Sequence, residues 1–271
     1  MTPKISFKNV NKTFDIAGRP AFTALEGLNL DIKDGEFITV VGPSGCGKST
    51  AMNIAAGLTA PSSGQVLVDD TPVSGPGPER GVIFQQYALF PWLTVRQNVE
   101  FGLKIAGHKR DERRRIADHF IALVGLTDFA NSLPKTLSGG MKQRCAIARA
   151  YAVNPKILLM DEPFGALDAL TRVQLQDQLL TMWSKERRTV MFITHDVDEA
   201  VYLASRVVVM AARPGRLYKI VNVDLPYPRT EDMRLSLEFS ELRNEVWRAV
   251  YHPAAAACSL PMKRCSPSKE E

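Results

Sequence analysis

The sequence predicts an α/β fold, because segments with the pattern of strands stand on both sides of a run of predicted helices. Short apolar runs at residues 36–41, 157–160, 190–193 and 207–210 are typical of buried strands. Between the first and the second of these runs, residues 87–152 carry the spacing and capping residues of successive helices. Together these patterns indicate a mixed α/β core that is interrupted by a helical insert.

The elements before the insert follow from local signals. Residues 5–10 and 28–32 alternate apolar and polar side chains, which predicts two strands with one buried face each. Residues 49–56 favour a helix, and Gly57 is suited to end it. A further strand is predicted at residues 65–69, so the part before the insert is rich in strands.

Helix starts within and after the insert are marked by polar residues that can cap them. Thr94, Asp111 and Ser138 each precede an apolar periodic stretch and predict three N-caps. A further helix is predicted at residues 168–186, and a last amphipathic helix at residues 231–251.

Composition is ordinary for a globular protein, with 271 residues, 45% hydrophobic and 23% charged. We expect one domain at residues 1–252 and a disordered tail at 253–271. No stretch approaches the roughly 18 apolar residues of a membrane span, and the first residues lack the apolar core of a secretory signal. The four cysteines form no C-x-x-C pair, which favours a reduced, cytosolic location.

The net charge of +5 is mild and does not predict a nucleic-acid partner. The one dense charged run, residues 108–115, is interpreted as the solvated face of a helix. Contact of this run with phosphate groups is the alternative interpretation.

Residues 42–50 contain the most informative motif. The run Gly-Pro-Ser-Gly-Cys-Gly-Lys-Ser, followed by Thr, fits the phosphate-binding pattern G-x-x-x-x-G-K-[ST]. A predicted strand precedes it and a predicted helix follows it, which is the context that this motif needs. The candidate phosphate-binding residues are Gly42, Pro43, Ser44, Gly45, Cys46, Gly47, Lys48, Ser49 and Thr50.

Two adjacent carboxylates follow the predicted strand at residues 157–160. Side chains of neighbouring residues in a strand point to opposite sides, so Asp161 and Glu162 are expected to have different tasks. Asp161 is suited to hold Mg²⁺ through a water, together with the Ser49 hydroxyl. Glu162 is suited to orient or deprotonate an attacking water, and Lys48 places a cation between the terminal phosphates.

Cys46 lies inside the phosphate loop, near backbone donors, a helix N-terminus and Lys48. This environment predicts a thiol that is readily ionised and labelled. The two glycines that follow Ser138 are costly at a helix start unless something must come close, and a phosphate is one candidate.

Several motifs become informative as a set. In chain order they are the phosphate loop, Gln85, the run Leu-Ser-Gly-Gly-Met-Lys-Gln-Arg at 137–144, Asp161-Glu162, the run Ala-Leu-Asp at 166–168, and His195. As a set they resemble the ATP-binding cassette (ABC) family over residues 4–225. The resemblance implies a P-loop ATPase core with an N-terminal antiparallel β-subdomain and an inserted α-helical subdomain. It also implies ATP and Mg²⁺ as cofactors.

The resemblance implies roles for single residues. Phe14 would stack on adenine, and Gln85 would sense the γ-phosphate and the metal. His195 would hold the γ-phosphate and the attacking water, with Glu162 as the base.

The same resemblance implies a homodimer. Ser138, Gly139 and Gly140 would bind the γ-phosphate of the ATP held by a second copy. Asp168 would line the seam between the two copies, so each site would be completed by its neighbour.

Residues 84–95 and 192–200 look like those of the nitrate/sulfonate/taurine-type importer ATPases. This finer resemblance implies a peripheral subunit on the cytoplasmic face of the inner membrane. Its partners would be two transmembrane permease subunits and an extracytoplasmic solute-binding protein. Residues 87–93 are rich in apolar side chains, and Pro91 prevents one continuous helix there. We therefore expect a partly exposed aromatic residue beside Gln85 that receives a permease helix.

Other functions remain open at the level of sequence. An exporter or lipid-moving cassette, a soluble ABC ATPase of DNA repair or translation, and a P-loop kinase are the alternatives. The kinase leaves the run at 138–140 without a purpose. The solute stays open among nitrate, sulfonates, taurine and pyrimidine-like vitamin precursors.

Overall fold

The strands and helices follow the predicted order, with a helical run inserted between two strand-rich parts. The computed structural model describes residues 2–15, 18 and 20–252, and the predicted disordered tail at 253–271 lies outside them. The strands are Ile5–Phe14 (β1), Phe22–Ile32 (β2), Phe37–Val41 (β3), Ser63–Val68 (β4), Thr71–Pro72 (β5), Arg80–Ile83 (β6), Ile157–Asp161 (β7), Thr189–Ile193 (β8), Arg206–Ala211 (β9) and Arg216–Asn222 (β10). The α-helices are Lys48–Ala55 (α1), Val95–Ile105 (α2), Arg110–Leu123 (α3), Gly139–Ala152 (α4), Ala169–Glu186 (α5), Val197–Leu203 (α6), Glu231–Arg234 (α7) and Leu237–Tyr251 (α8).

The smaller sheet is antiparallel and has the strand order β2-β1-β4-β5. β1 lies between two partners, with Ile5 opposite Ile32 of β2 on one side and Val68 of β4 on the other. At its far end, Phe14 of β1 pairs with Phe22 of β2. The N-terminal antiparallel subdomain that the family resemblance implied is therefore confirmed.

The larger sheet has the strand order β10-β9-β3-β8-β7-β6. β9, β3, β8, β7 and β6 run parallel, and β10 is antiparallel at one edge. β3 and β8 are buried along their whole length, as expected for strands covered on both faces. The register aligns Val40 of β3, Ile193 of β8 and Asp161 of β7 in one row. The carboxyl ends of these strands therefore meet at a single edge.

Two hydrophobic cores lie on the two faces of this larger sheet. Phe37 and Val41 of β3 belong to the core that includes residues of the inserted helices α2, α3 and α4. Ile38 and Val40, the alternate residues of the same strand, belong to the core shared with α1 and the smaller sheet. The period of two along β3 thus divides one strand between two layers. Among the described residues, no helix is long and apolar enough to cross a bilayer.

Of the three predicted N-caps, Thr94 and Ser138 are correct and Asp111 is wrong. Thr94 caps α2 as predicted, and its hydroxyl accepts a hydrogen bond from the Gln97 amide at 3.2 Å. The predicted N-cap at Asp111 is wrong, because α3 begins at Arg110 and follows Lys109. Asp111 lies instead in the first turn, where its negative charge interacts favourably with the helix dipole.

The single helix predicted at residues 231–251 is also wrong. The segment forms two helices, α7 and α8, separated at Leu235 and Ser236. Ser236 accepts a hydrogen bond from the Phe239 amide at 3.1 Å and thereby caps the second helix. Leu235 is exposed and does not join the buried stripe that includes Phe239 and Val246.

Trp183 of α5 is the largest of the fully buried side chains described. Its substitution tests how much core packing contributes to stability. Its ring packs edge-on against Phe37 at 5.6 Å, and its indole N–H donates to the Arg188 carbonyl at 2.8 Å. We expect Trp183→Phe to lower the free energy of unfolding by about 2–3 kcal/mol, through lost volume and an unpaired carbonyl. Urea unfolding followed by circular dichroism measures this. The half-exposed Trp247 provides the control, because Trp247→Phe is expected to change stability by less than about 0.5 kcal/mol.

Candidate functional site

The predicted phosphate loop connects β3 to α1 at the common edge of the larger sheet. Gly47 precedes the helix with a φ of 87°, and among the described residues no side chain caps this helix start. The first backbone N–H groups of α1 therefore lack intrahelical partners. The Lys48 ammonium donates to the carbonyl oxygens of Gly42 at 2.9 Å and Pro43 at 3.3 Å. Helix donors and a cation are thus held together, a combination that binds anions.

Two segments that the sequence did not assign to the site support this loop. A Cβ on Gly47 would lie 2.7 Å from the Ala24 carbonyl oxygen of β2. A Cβ on Gly215 would overlap the carbonyl oxygen of Cys46. Gly215 is also joined to β2, because its amide donates to Ala24 at 3.2 Å and its carbonyl accepts from Glu26 at 2.9 Å. The sequence showed the turn that contains Gly215, but no local signal shows that this turn reaches the phosphate loop.

Asp161 and Ser49 meet across the edge of the sheet. The Ser49 hydroxyl donates to the Asp161 carboxylate at 3.1 Å. Burial raises the pKa of Asp161, while the hydrogen bond from Ser49 and the charge of Lys48 act against this shift. A hydroxyl and a carboxylate oxygen are ligands that Mg²⁺ accepts. The described residues contain no group of three or more His, Cys, Asp or Glu side chains suited to a metal. The Ser49–Asp161 pair fits a Mg²⁺ ion, which takes its remaining ligands from phosphates and water.

Glu162 and His195 form the second pair at this edge. His195 Nδ1 and Glu162 Oε2 are 3.0 Å apart, although the two residues follow different strands. Glu162 has a φ of 43°, a strained conformation for a residue other than glycine. Its amide donates to the Ile193 carbonyl of β8 at 3.0 Å, which fixes this turn. Asp161 and Glu162 thus engage different partners, as their positions in the sequence predict.

The other predicted residues lie further from this cluster or contact other groups. Gln85 is exposed two residues beyond β6, and among the described residues no hydrogen bond joins it to Ser49 or Asp161. Ser138 caps α4 by accepting a hydrogen bond from the Met141 amide at 3.3 Å. The run at 138–140 therefore begins a helix of the insert. Among the described residues, no hydrogen bond joins this run to the phosphate loop of its own chain.

Asp168 and Gly140 are linked by a residue that the sequence did not single out. Asp168 caps α5, and its carboxylate accepts a hydrogen bond from the Thr171 amide at 3.0 Å. This backbone hydrogen bond lowers the pKa of Asp168. A Cβ on Gly140 would lie 2.6 Å from the Thr171 methyl group. The close approach that requires glycine at position 140 is therefore made by Thr171 of the same chain.

Two aromatic side chains are exposed at the end of the β1–β2 pair. Phe14, the predicted adenine contact, is 38% exposed and pairs with Phe22, which is also exposed. Two residues beyond Phe22, Ala24 contacts the phosphate loop at Gly47. Phe22 therefore lies on the strand that borders the loop, and Phe14 lies opposite it on β1. Phe22 was missed because its position opposite Phe14 depends on the strand register.

The prediction of an easily ionised Cys46 is wrong. The side chain is fully buried, and burial raises the pKa of its thiol more than the nearby Lys48 charge lowers it. The sulfur lies 3.8 Å from the Lys48 ammonium and packs beside Gly42. The loop folds over Cys46, so this cysteine acts as a small apolar residue.

A phosphate loop, a hydroxyl–carboxylate pair and a carboxylate–histidine pair at one edge of a parallel sheet define a P-loop nucleotide hydrolase. The sequence profile of the ABC transporter family matches residues 25–165. An ATP-binding protein of Brucella abortus is 75% identical over 252 residues, which is 93% of this chain and 95% of that protein. The chain belongs to the ABC transporter family and is an ATP-hydrolysing subunit of that family.

Two further comparisons place the chain within this family. The nitrate import ATP-binding protein NrtD of Synechocystis is 45% identical over 248 residues, which is 89% of this chain and 93% of that protein. A dimeric ATP-binding cassette solved in a post-hydrolysis state with ADP and phosphate is 34% identical, with a TM-score of 0.73. That alignment covers 82% of this chain and all of the solved one, 100%. The family that the sequence motifs resembled is thus confirmed, and so is the cassette fold.

The burial of Cys46 leads to a test with a matched cysteine. In a Cys258→Ser/Cys265→Ser background, we expect maleimide to label Cys46 about 100-fold more slowly in the native protein than in urea, because the thiol is buried and neutral. Mass spectrometry of peptides after timed quenching measures the rates. Cys145 is the control, since burial raises its pKa to about 12 and its labelling should also require unfolding. Fast labelling of native Cys46 alone would contradict the packing described above.

Proposed function

We propose that this chain is the ATPase subunit of a bacterial importer for a small solute, most consistently an anion such as nitrate, a sulfonate or taurine. One observation carries the catalytic part of the proposal. The Ser49–Asp161 contact of 3.1 Å and the Glu162–His195 contact of 3.0 Å lie at the ends of neighbouring parallel strands, beside the phosphate loop. The importer part is supported by the similarity to a nitrate import protein.

In this proposal the phosphate loop binds the β- and γ-phosphates of ATP through its backbone N–H groups and Lys48. Ser49, Asp161 and Gln85 would hold Mg²⁺, which would neutralise phosphate charge. Phe14, together with Phe22, offers an aromatic surface to the adenine ring.

Glu162 accepts a proton from the attacking water, or orients it, and His195 holds that carboxylate in place. The 3.0 Å contact fixes which Glu162 oxygen faces His195 and leaves the other oxygen for the water. The strained backbone at Glu162 supports this assignment, because strain of this kind is maintained mostly at functional positions.

We further propose that the working unit is a homodimer on two permease subunits, supplied by an extracytoplasmic solute-binding protein. Ser138, Gly139 and Gly140 would contact the γ-phosphate of the neighbouring copy. This is supported by their position at the N-terminus of α4, where no hydrogen bond among the described residues joins them to the phosphate loop of their own chain. Asp168 would lie next to them, because Thr171 contacts both Asp168 and Gly140.

The permease would dock on residues 87–93. Trp92 is 72% exposed and its ring lies 5.8 Å from the Phe90 ring, which also packs against Phe101 at 4.3 Å. An exposed tryptophan on a supported aromatic base is typical of a binding surface. The chain would then lie at the cytoplasmic face of the inner membrane, held by its partner.

Glu162→Gln tests the catalytic assignment. The variant keeps the shape of the side chain but removes the proton acceptor, so we expect unchanged ATP affinity and a rate of hydrolysis lower by about 10²–10⁴. Fluorescent-nucleotide titration and phosphate release measure the two quantities. Glu241→Gln, an exposed change on α8, should leave both unaltered. Hydrolysis near the parent rate in Glu162→Gln would exclude Glu162 as the base.

Trp92→Ala tests the docking surface. Because the side chain is exposed, the variant should fold and bind ATP normally, yet lose more than about tenfold in affinity for the permease subunits. Co-purification from membranes and solute-stimulated ATPase activity report the loss. Ile105→Ala is the matched control, since Ile105 is 74% exposed at the end of α2 in the same inserted part. Normal assembly by the Trp92 variant would remove the support for docking at residues 87–93.

A further inference from the structure

Residues 87–93, proposed above as the permease-docking segment, are held as one preformed unit. Asn98 of α2 is fully buried below them, and its side-chain amide donates to the carbonyl oxygens of Phe90 at 3.1 Å and Leu93 at 3.0 Å. Its side-chain oxygen accepts from the Phe90 amide at 2.8 Å. A force applied to Trp92 would therefore displace the segment as a whole and not only its tip.

A second anchor joins this unit to another helix. Arg149 of α4 donates from one guanidinium nitrogen to the Ala88 carbonyl at 2.6 Å and from the other to the Tyr87 carbonyl at 3.2 Å. The same guanidinium lies over the Phe90 ring at 5.7 Å from its centre. The Arg149 side chain thus contacts both the backbone of the segment and the Phe90 ring. The planar guanidinium, with donors on both terminal nitrogens, permits this geometry.

The backbone at this anchor is strained. Ala88 has a φ of 47°, a left-handed conformation in which a Cβ is unfavourable. Such strain persists only where surrounding contacts impose it. The contact that Arg149 makes with the Ala88 carbonyl is one that imposes it, so the two positions are mechanically linked.

The segment also contacts the opposite end of α4. The Tyr87 hydroxyl lies 3.1 Å from the position that a Cβ on Gly139 would occupy. Gly139 begins α4 and Arg149 lies ten residues later, about 15 Å along the axis at 1.5 Å per residue. Tyr87 and Arg149 therefore hold the docking segment along the length of one rigid helix.

We infer that Arg149 is a positioning residue that transmits permease docking at residues 87–93 to the run 138–140 at the start of α4. A docked permease would move the segment, Arg149 would carry that displacement into the helix, and Ser138 and Gly139 would shift toward or away from the ATP of the second copy. The inference rests on the proposed function, because it names how the docking surface controls the shared site. Arg149 would act through the segment and α4, and not through contact with the nucleotide.

The test is the variant Arg149→Lys. Its basal ATPase activity as an isolated subunit and its permease-stimulated activity in the assembled transporter are each compared with those of the parent. Lysine keeps the positive charge but cannot donate to both carbonyls in the same fork. We expect basal hydrolysis by the isolated subunit to stay within about twofold, and the stimulation by permease and solute to fall by about tenfold, within the usual range of coupling between sites. Co-purification with the permease should be retained, unlike that of Trp92→Ala.

A double variant separates transmission through Arg149 from a merely structural role. In Ala88→Gly the left-handed conformation carries no Cβ penalty, so this backbone no longer depends on Arg149. We expect Arg149→Lys/Ala88→Gly to keep the loss of stimulation, because relieved strain at residue 88 does not rebuild the link to α4, and Ala88→Gly alone to stay close to the parent. Recovery in the double variant would mean that Arg149 only holds the Ala88 backbone, which would overturn its role in transmission. Arg144→Lys is the matched control, because Arg144 lies on α4 but donates to the Val124 carbonyl at 3.4 Å.

The outcomes separate the inference from the proposed function. Full stimulation in Arg149→Lys, or an equal loss of basal and stimulated rates, overturns the role of Arg149 while the importer assignment stands. A parent protein that neither binds a permease nor responds to one overturns the proposed function and the inference with it.

Discussion

The site depends on the parallel alignment of four neighbouring strands. β3, β8, β7 and β6 are hydrogen-bonded side by side in the same direction, so the chain leaves each of them at the same edge. Segments separated by more than a hundred residues are thereby placed within hydrogen-bonding distance, as the Ser49–Asp161 pair shows. A parallel sheet requires both faces to be covered, and the two cores meet this requirement. The chemistry at the edge is therefore a consequence of burial throughout the layers.

Much of this arrangement could be predicted from local patterns. Apolar runs without alternation identified the fully buried strands, and Thr94 and Ser138 identified helix starts through side chains that satisfy free amides. The two-residue period of a strand predicted different partners for Asp161 and Glu162, although Glu162 lies in the turn that follows β7. These features depend on a few neighbouring residues, which is why one sequence suffices to predict them.

Other features could not be predicted because they depend on distant segments. Phe22 joins Phe14 only through the register of two strands, and Gly215 reaches Cys46 only through the packing of a hairpin on β2. The error at Cys46 has the same origin. The local sequence shows the nearby cation and helix start. The burial that raises the pKa of the Cys46 thiol comes from the surrounding fold. The break at Ser236 has a local cause. The apolar spacing predicted one continuous helix, but the Ser236 hydroxyl accepts a hydrogen bond from the backbone and starts a second one.

The contact between Gly140 and Thr171 limits how this protein can diverge. The Thr171 methyl group occupies the space that any larger residue at position 140 would need. Thr171 in turn supplies the amide that Asp168 requires. A Cβ at position 140 would thus require Thr171 to move or to be replaced by a smaller residue. These two positions, in different helices and far apart in the chain, are expected to vary as a pair in any designed or randomised library of this subunit.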